Sequence, residues 1–120
     1  MVLVDTNIWI GHFRGLNKKL VPLLNVGSVA CHEFIIGELA AGNLKNRTEI
    51  LSLFQSLPST PVVESHEYLE FVESRKLMGK GLGFVDIHIL ASAVLSGLPL
   101  WTEDKRLAKA ADDLGVAYKI

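Results

Sequence analysis

Short apolar runs alternate along this chain with longer segments in which apolar side chains recur every three or four residues. Val2 to Val4 is a β-branched run ending at Asp5, and Ile8, Trp9, Ile10 and Phe13 then mark a helix over 6–13. Val26 to Cys31 reads as a second strand, followed by a helix from Glu33 to Ala41 that Gly42 and Asn43 stop. A third helix is predicted from Lys45 to Gln55, with Ile50, Leu51 and Phe54 on one face and Pro58 as its end. Pro61 to Val63 make a brief strand. Ser65 to Met78 then form a helix with Tyr68, Phe71, Val72 and Arg75 at helical spacing, Ser65 as N-cap and Gly79 as stop. Phe84 to Ser96 is the most apolar helix, closed by Gly97. Leu98 to Thr102 reads as a strand, Asp104 to Leu114 as a helix and Val116 to Ile120 as a last strand.

Strands that alternate with helices in this way predict a parallel sheet, because parallel neighbours need crossover connections and helices supply them. The expected class is α/β, a three-layer α/β/α sandwich with about four to five short strands. A chain of 120 residues accommodates this as one domain over 1–120. In open sheets of this kind ligands gather beyond the carboxyl ends of the strands, so polar residues at those ends carry the functional signal.

Composition narrows the class. A hydrophobic share of 49% is enough to bury a core and excludes a disordered chain. No apolar run approaches the roughly 20 residues a bilayer span needs, and MVLVDTN has no basic segment ahead of an apolar stretch, so a cytoplasmic location without membrane attachment is expected. Cys31 is alone in an apolar run, which predicts a buried thiol and no internal disulfide. A formal net charge of −1 does not advertise a polyanion-binding surface, so any nucleic-acid contact has to be local. Basic residues do gather at Lys18–Lys19, Lys45–Arg47, Arg75–Lys76–Lys80 and Lys105–Arg106–Lys109; each pattern suits either a solvated face or a phosphate contact. Gly79 to Gly83 is the one glycine-rich stretch. It lacks the Gly-Lys-Ser/Thr ending of a nucleotide-binding loop and reads as a turn or a place of close backbone approach.

Four acids stand where a site is expected. Asp5 directly follows the first strand, as a helix cap or as a ligand aimed into the crevice. Asp86 opens a helix whose next turns are apolar on its own side, and Asp104 opens the last helix beside Thr102. Glu38 shares a helix face with Phe34 and Ile35, which predicts an inward carboxylate in need of a partner. Four converging carboxylates repel, and a divalent cation resolves the repulsion; an all-oxygen set selects Mg²⁺ or Mn²⁺ over zinc. His12, His32, His66 and His88 have no zinc-site spacing and are expected as surface or core residues. Thr6, Asn7 and Thr102 are the nearest polar side chains able to orient the acids.

The set Val2-Leu-Val-Asp5-Thr6-Asn7, Glu38-Leu39 in a helix closed by Gly42, Asp86 before an apolar helix, and Thr102-Glu-Asp104 resembles the PIN-domain family, in particular its small VapC-type toxins. The likeness spans nearly the whole chain in the order of elements and acids. It implies that Asp5, Glu38, Asp86 and Asp104 bind one or two divalent ions and cut RNA, with Glu103 a competitor for the place of Asp104. It also implies a homodimer held inactive by a cognate antitoxin protein, for whose helix Trp9, Ile36, Leu53 and Phe54 offer apolar side chains, although core packing is the expected fate of most of them. Two other classes fit the pattern less well. A receiver-type phosphoacceptor would need paired acids near the first strand, where only Asp5 stands. A non-catalytic RNA-binding relative would lack one of the four acids, and all four are present.

Overall fold

The first strand, β1 (Val2–Val4), is apolar at every position because both of its faces are buried. The structure, a computed structural model describing residues 1–120, places it inside a four-stranded sheet. Its neighbours are β2 (Val29–His32) on one side and β4 (Leu100–Trp101) on the other, with β3 (Ser59–Thr60) beyond β2. All pairings are parallel, in register Val2 with Val29, Leu3 with Leu100 and Cys31 with Ser59. Helices fill every crossover: α1 (Thr6–Phe13) and α2 (Leu20–Asn25), then α3 (Glu33–Ala40) and α4 (Arg47–Ser56), then α5 (Ser65–Ser74) and α6 (Phe84–Ser96), with α7 (Lys105–Asp113) after β4. α1, α3 and α4 pack as one group and α5, α6 and α7 as another, giving the expected three-layer α/β/α sandwich.

The chain builds outward from β1 through β2 to β3, then returns to the far side of β1 to lay down β4. The switch point therefore lies between β1 and β4, where connections depart in opposite directions.

Several boundaries differ from expectation, each for a local reason. α2 was not foreseen: it has only six residues, includes Pro22 within its first turn where proline is tolerated, and has no side-chain cap. β2 begins at Val29 because Gly27, at φ 68°, is still turning. The strand expected over 61–63 is instead Ser59–Thr60, bracketed by Pro58 and Pro61. α5 stops at Ser74 rather than Met78; Lys76 adopts φ 55°, and Leu77 turns back into the core before Gly79 is reached. Its N-cap is Glu64, not Ser65, with the Glu64 N–H donating to Glu67 Oε1 at 3.0 Å. The last predicted strand shrinks to a single parallel bridge between Ala117 and Leu100.

The middle of α6, Ile87 to Ala93, is buried in the interior, with Ile89, Leu90, Ala91 and Ala93 in a core that also holds Leu3, Ile35 and Leu107. No helix is long and apolar enough to cross a membrane. Trp9 and Phe54 are core residues in edge contact, ring centroids 5.0 Å apart, so they do not line an open groove; Ile36 is half-buried and Leu53 exposed. Cys31 is buried as expected, and burial pushes its thiol up to about 11, leaving it protonated at neutral pH.

Two histidines complete this interior. His32 Nδ1 accepts the Phe34 N–H at 3.0 Å and caps α3, while His88 lies stacked on Tyr68 and edge-on to Phe34. Burial, reinforced by the neighbouring His88, lowers His32 to about 4, and burial also lowers His88. Both rings are therefore neutral in the fold. The unfolded chain binds protons near pH 6.5 that the folded chain takes up only at lower pH, so stability is full above that value and falls as pH drops toward about 4. For His32 the loss reaches up to about 1.4 kcal/mol per pH unit, and His88 adds in the same direction. Urea denaturation followed across this window should show the decline, and His88→Phe, which keeps a ring on Tyr68, should flatten it; an unchanged slope would mean the rings are not neutral in the fold.

Candidate active site

β1 ends by delivering Asp5 to the switch point, where it also serves as N-cap of α1. Its carboxylate is buried, 5% exposed, yet well supplied with donors. Oδ1 accepts the Thr6 N–H at 2.7 Å, and Oδ2 accepts the Thr102 hydroxyl at 2.8 Å and the Asn7 Nδ2 amide at 3.4 Å. Thr102 follows β4 directly, so this bond closes the crevice between the two strands.

The direction of the Thr102 hydroxyl hydrogen follows from counting. Its oxygen accepts from Asn7 Nδ2 at 3.1 Å and from the Asp104 N–H at 3.0 Å. Both lone pairs are then engaged, and the single hydrogen is left for Asp5. Asn7 Oδ1 in turn accepts the Glu103 N–H at 3.0 Å. One hydroxyl and one amide thus fasten the start of α1 to the β4–α7 turn, in the orienting role expected of Thr102 and Asn7.

The other acids arrive from three elements. Glu38 projects from α3 and is exposed, not inward as its neighbours Phe34 and Ile35 suggested; α3 is short and turns this position toward the crevice mouth. There its Oε1 accepts the Thr6 hydroxyl at 2.7 Å, which ties α3 to α1. Asp86, in the first turn of α6, accepts the Gly83 N–H on Oδ2 at 3.1 Å. Asp104 is the N-cap of α7, its Oδ1 accepting the N–H groups of Arg106 at 2.9 Å and Leu107 at 3.0 Å. Glu103 is exposed and joins the network only through its backbone.

Burial raises the Asp5 carboxyl above its usual range; the Thr102 and Thr6 hydrogen bonds oppose the shift, and the carboxylates of Asp86 and Glu38 add to it. Asp86 and Glu38 are therefore each close enough to act on Asp5, while Asp104 is tied to Asp5 through its backbone bond to Thr102. The ion pairs of the protein, His66–Glu64, Lys109–Asp113 and Lys119–Asp112, involve none of these four acids. Uncompensated charge and exclusively oxygen donors fit a hard divalent cation. The grouping Glu64, His66 and Glu67 is fully exposed at the start of α5, where Glu64 and Glu67 are spent on capping that helix. Reading the sequence missed the Gly83 and Glu103 N–H groups as partners, since backbone donors leave no residue-type signal.

Acids presented beyond parallel strands at a switch point define an α/β protein with an acidic crevice. The chain belongs to the PIN domain family, whose model matches residues 2–113. Ribonuclease VapC32 of Mycobacterium tuberculosis is 46% identical over 118 residues, covering 98% of this chain and 95% of that protein. Among solved structures, a toxin-antitoxin complex from Klebsiella pneumoniae superposes with a TM-score of 0.73 at 22% identity, covering 99% of this chain and 97% of that one. FitAcB from Neisseria gonorrhoeae gives 0.66 at 24% identity, with 98% and 95% covered. The structural likenesses establish the fold.

Thr102→Val preserves shape but removes the donor to Asp5 and the acceptor for Asn7 and the Asp104 N–H. The substitution should cost about 1–3 kcal/mol in urea denaturation. It should also raise the Asp5 titration further, read by carboxyl NMR, because a bond that lowers it is lost. Wild-type stability with an unmoved Asp5 would exclude the hydroxyl as donor.

Proposed function

We propose that this protein is a Mg²⁺- or Mn²⁺-dependent endoribonuclease, the toxin of a toxin–antitoxin pair. The observation that carries the reading is the cluster of uncompensated carboxylates around buried Asp5, in a chain alike over nearly its full length to a named ribonuclease. Asp5, Glu38, Asp86 and Asp104 are the ligands. When bound, a divalent cation supplies polarisation of water for attack on phosphorus and offsets charge on the phosphoryl oxygens.

The protein's own part is orientation. Thr102 and the Thr6 N–H fix both oxygens of Asp5 and oppose the rise that burial imposes on its carboxyl. The Thr6 hydroxyl and the Gly83 N–H hold Glu38 and Asp86 in the same way, each leaving an oxygen free for the cation. Capping uses one oxygen of Asp104 and leaves the other available. Ligands held in this way lose little freedom on binding, which favours a single geometry around the phosphate.

The antitoxin assignment is supported by a fold neighbour solved as a toxin-antitoxin complex. An open groove of about 840 Å³ lined by Ile10, Phe13, Leu39 and Ile50, with Arg14 and Glu38 also on its walls, suits an apolar antitoxin segment better than the buried Trp9 and Phe54. The homodimer has a natural contact in Phe84, 62% exposed on a shelf formed by Phe34, Tyr68 and His88. The pair works in the cytoplasm, where its RNA substrate is found.

Asp5→Asn and Asp86→Asn should each retain the fold by circular dichroism and lose RNA cleavage, and EDTA should silence the wild type until Mg²⁺ or Mn²⁺ is restored. Full activity in either variant would overturn the assignment. The cation should also stabilise the wild type, by about 2.7 kcal/mol at a hundredfold excess over its Kd, and this gain should shrink in Asp5→Asn.

A further inference from the structure

Beside the acidic crevice lies a second, smaller groove of about 250 Å³ lined by Lys80, Arg106, Lys109, Ala110 and Asp113. We propose that this groove, between the 79–83 loop and α7, is a phosphate subsite that holds the RNA backbone next to the cleavage centre through Arg106 and Lys80. The inference rests on the ribonuclease reading of the acidic site and adds a place for the strand on either side of the bond cut.

Arg106 is placed against the preference of its own helix. With Lys105 it occupies the first turn of α7, the positive end of the helix dipole, where cations are unfavourable. Neither residue nor Lys80 has a carboxylate partner, whereas Lys109 pairs with Asp113 at 3.1 Å. Helix stability therefore does not explain the cations, while a bound anion does.

The loop is shaped around the same guanidinium. Gly81 adopts φ 75°, and a Cβ there would lie 2.6 Å from Arg106 Nη1. The positive φ favours glycine, and a side chain at this position would push the Arg106 guanidinium aside, so the loop as built leaves room for that cation. Position completes the case. Gly81 stands two residues before Gly83, whose N–H holds Asp86, and Arg106 stands two residues after Asp104. Arg106 is thus within about 7 Å of the proposed ligand Asp104 along the chain, and Gly81 within about 7 Å of the Gly83 N–H that holds Asp86. A strand entering a centre of four acids on a protein of net charge −1 needs local cations, and Arg106 offers the planar fork that suits phosphate.

The probe is a mixed-sequence single-stranded oligoribonucleotide of about 12 nucleotides. Its binding is measured by fluorescence anisotropy against salt on the full-length Asp5→Asn protein, so that cleavage does not interfere. Arg106→Gln and Lys80→Gln should each weaken binding several-fold and reduce the slope of log affinity against log salt by about 0.7. Gly81→Ala should weaken binding in the same direction by displacing Arg106, and Lys18→Gln, an equal loss of charge elsewhere, should change neither quantity. In the cleaving protein Arg106→Gln should raise KM more than it lowers kcat. Unchanged binding and slope in both groove variants overturn the subsite, as does a loss confined to a polyglutamate competitor, which would assign the groove to an acidic protein segment. A wild type that fails to cut RNA while the groove variants still weaken binding counts against the ribonuclease reading and leaves the subsite standing.

Discussion

The hydrogen bond from Thr102 to Asp5 is the contact on which the rest of the site depends. It joins the ends of the two strands that flank the switch point, and it is the donor that most strongly opposes the rise which burial imposes on Asp5. Without it, a carboxylate at this depth would lean toward its neutral form and lose value as a ligand. The bond is directional because Asn7 and the Asp104 N–H occupy the remaining capacity of the same hydroxyl. A small polar network thereby converts a topological accident, two parallel strands ending side by side, into a defined electrostatic environment.

The surrounding core makes that network rigid. β1 contributes only three residues, but its central place in the sheet and its burial by helices on both sides fix where Asp5 begins. α6 serves the same purpose from the other side. Its buried length anchors the first turn, so Asp86 is held by Gly83 at one end of a helix that cannot slide. The two buried histidines add aromatic packing at the cost of tolerance to acid.

Much of this was legible in the sequence. The β-branched run at Val2–Val4, the apolar period of 84–96 and the position of Asp5, Asp86 and Asp104 at element boundaries all follow from local pattern, and the structure keeps them. What failed was decided by contacts distant in sequence. Glu38 reads as inward from its neighbours, but the hydroxyl that receives it belongs to Thr6, 32 residues earlier. The last strand carries suitable residues, yet the edge beside β4 supports one bridge, because only Leu100 and its neighbours are there to pair with. Leu77 ends a helix early since its burial outweighs the propensity of the residues before it. The basic side chains near 80 and 106 were visible as patches, while their convergence depended on a glycine whose conformation no spacing rule specifies.

Asp5 leaves the ribosome 97 positions before Thr102. The side chain at the heart of the site thus acquires its fixed orientation only when β4 has been made and has docked against β1. A chain in which β4 has not yet been made therefore lacks the donor that orients Asp5.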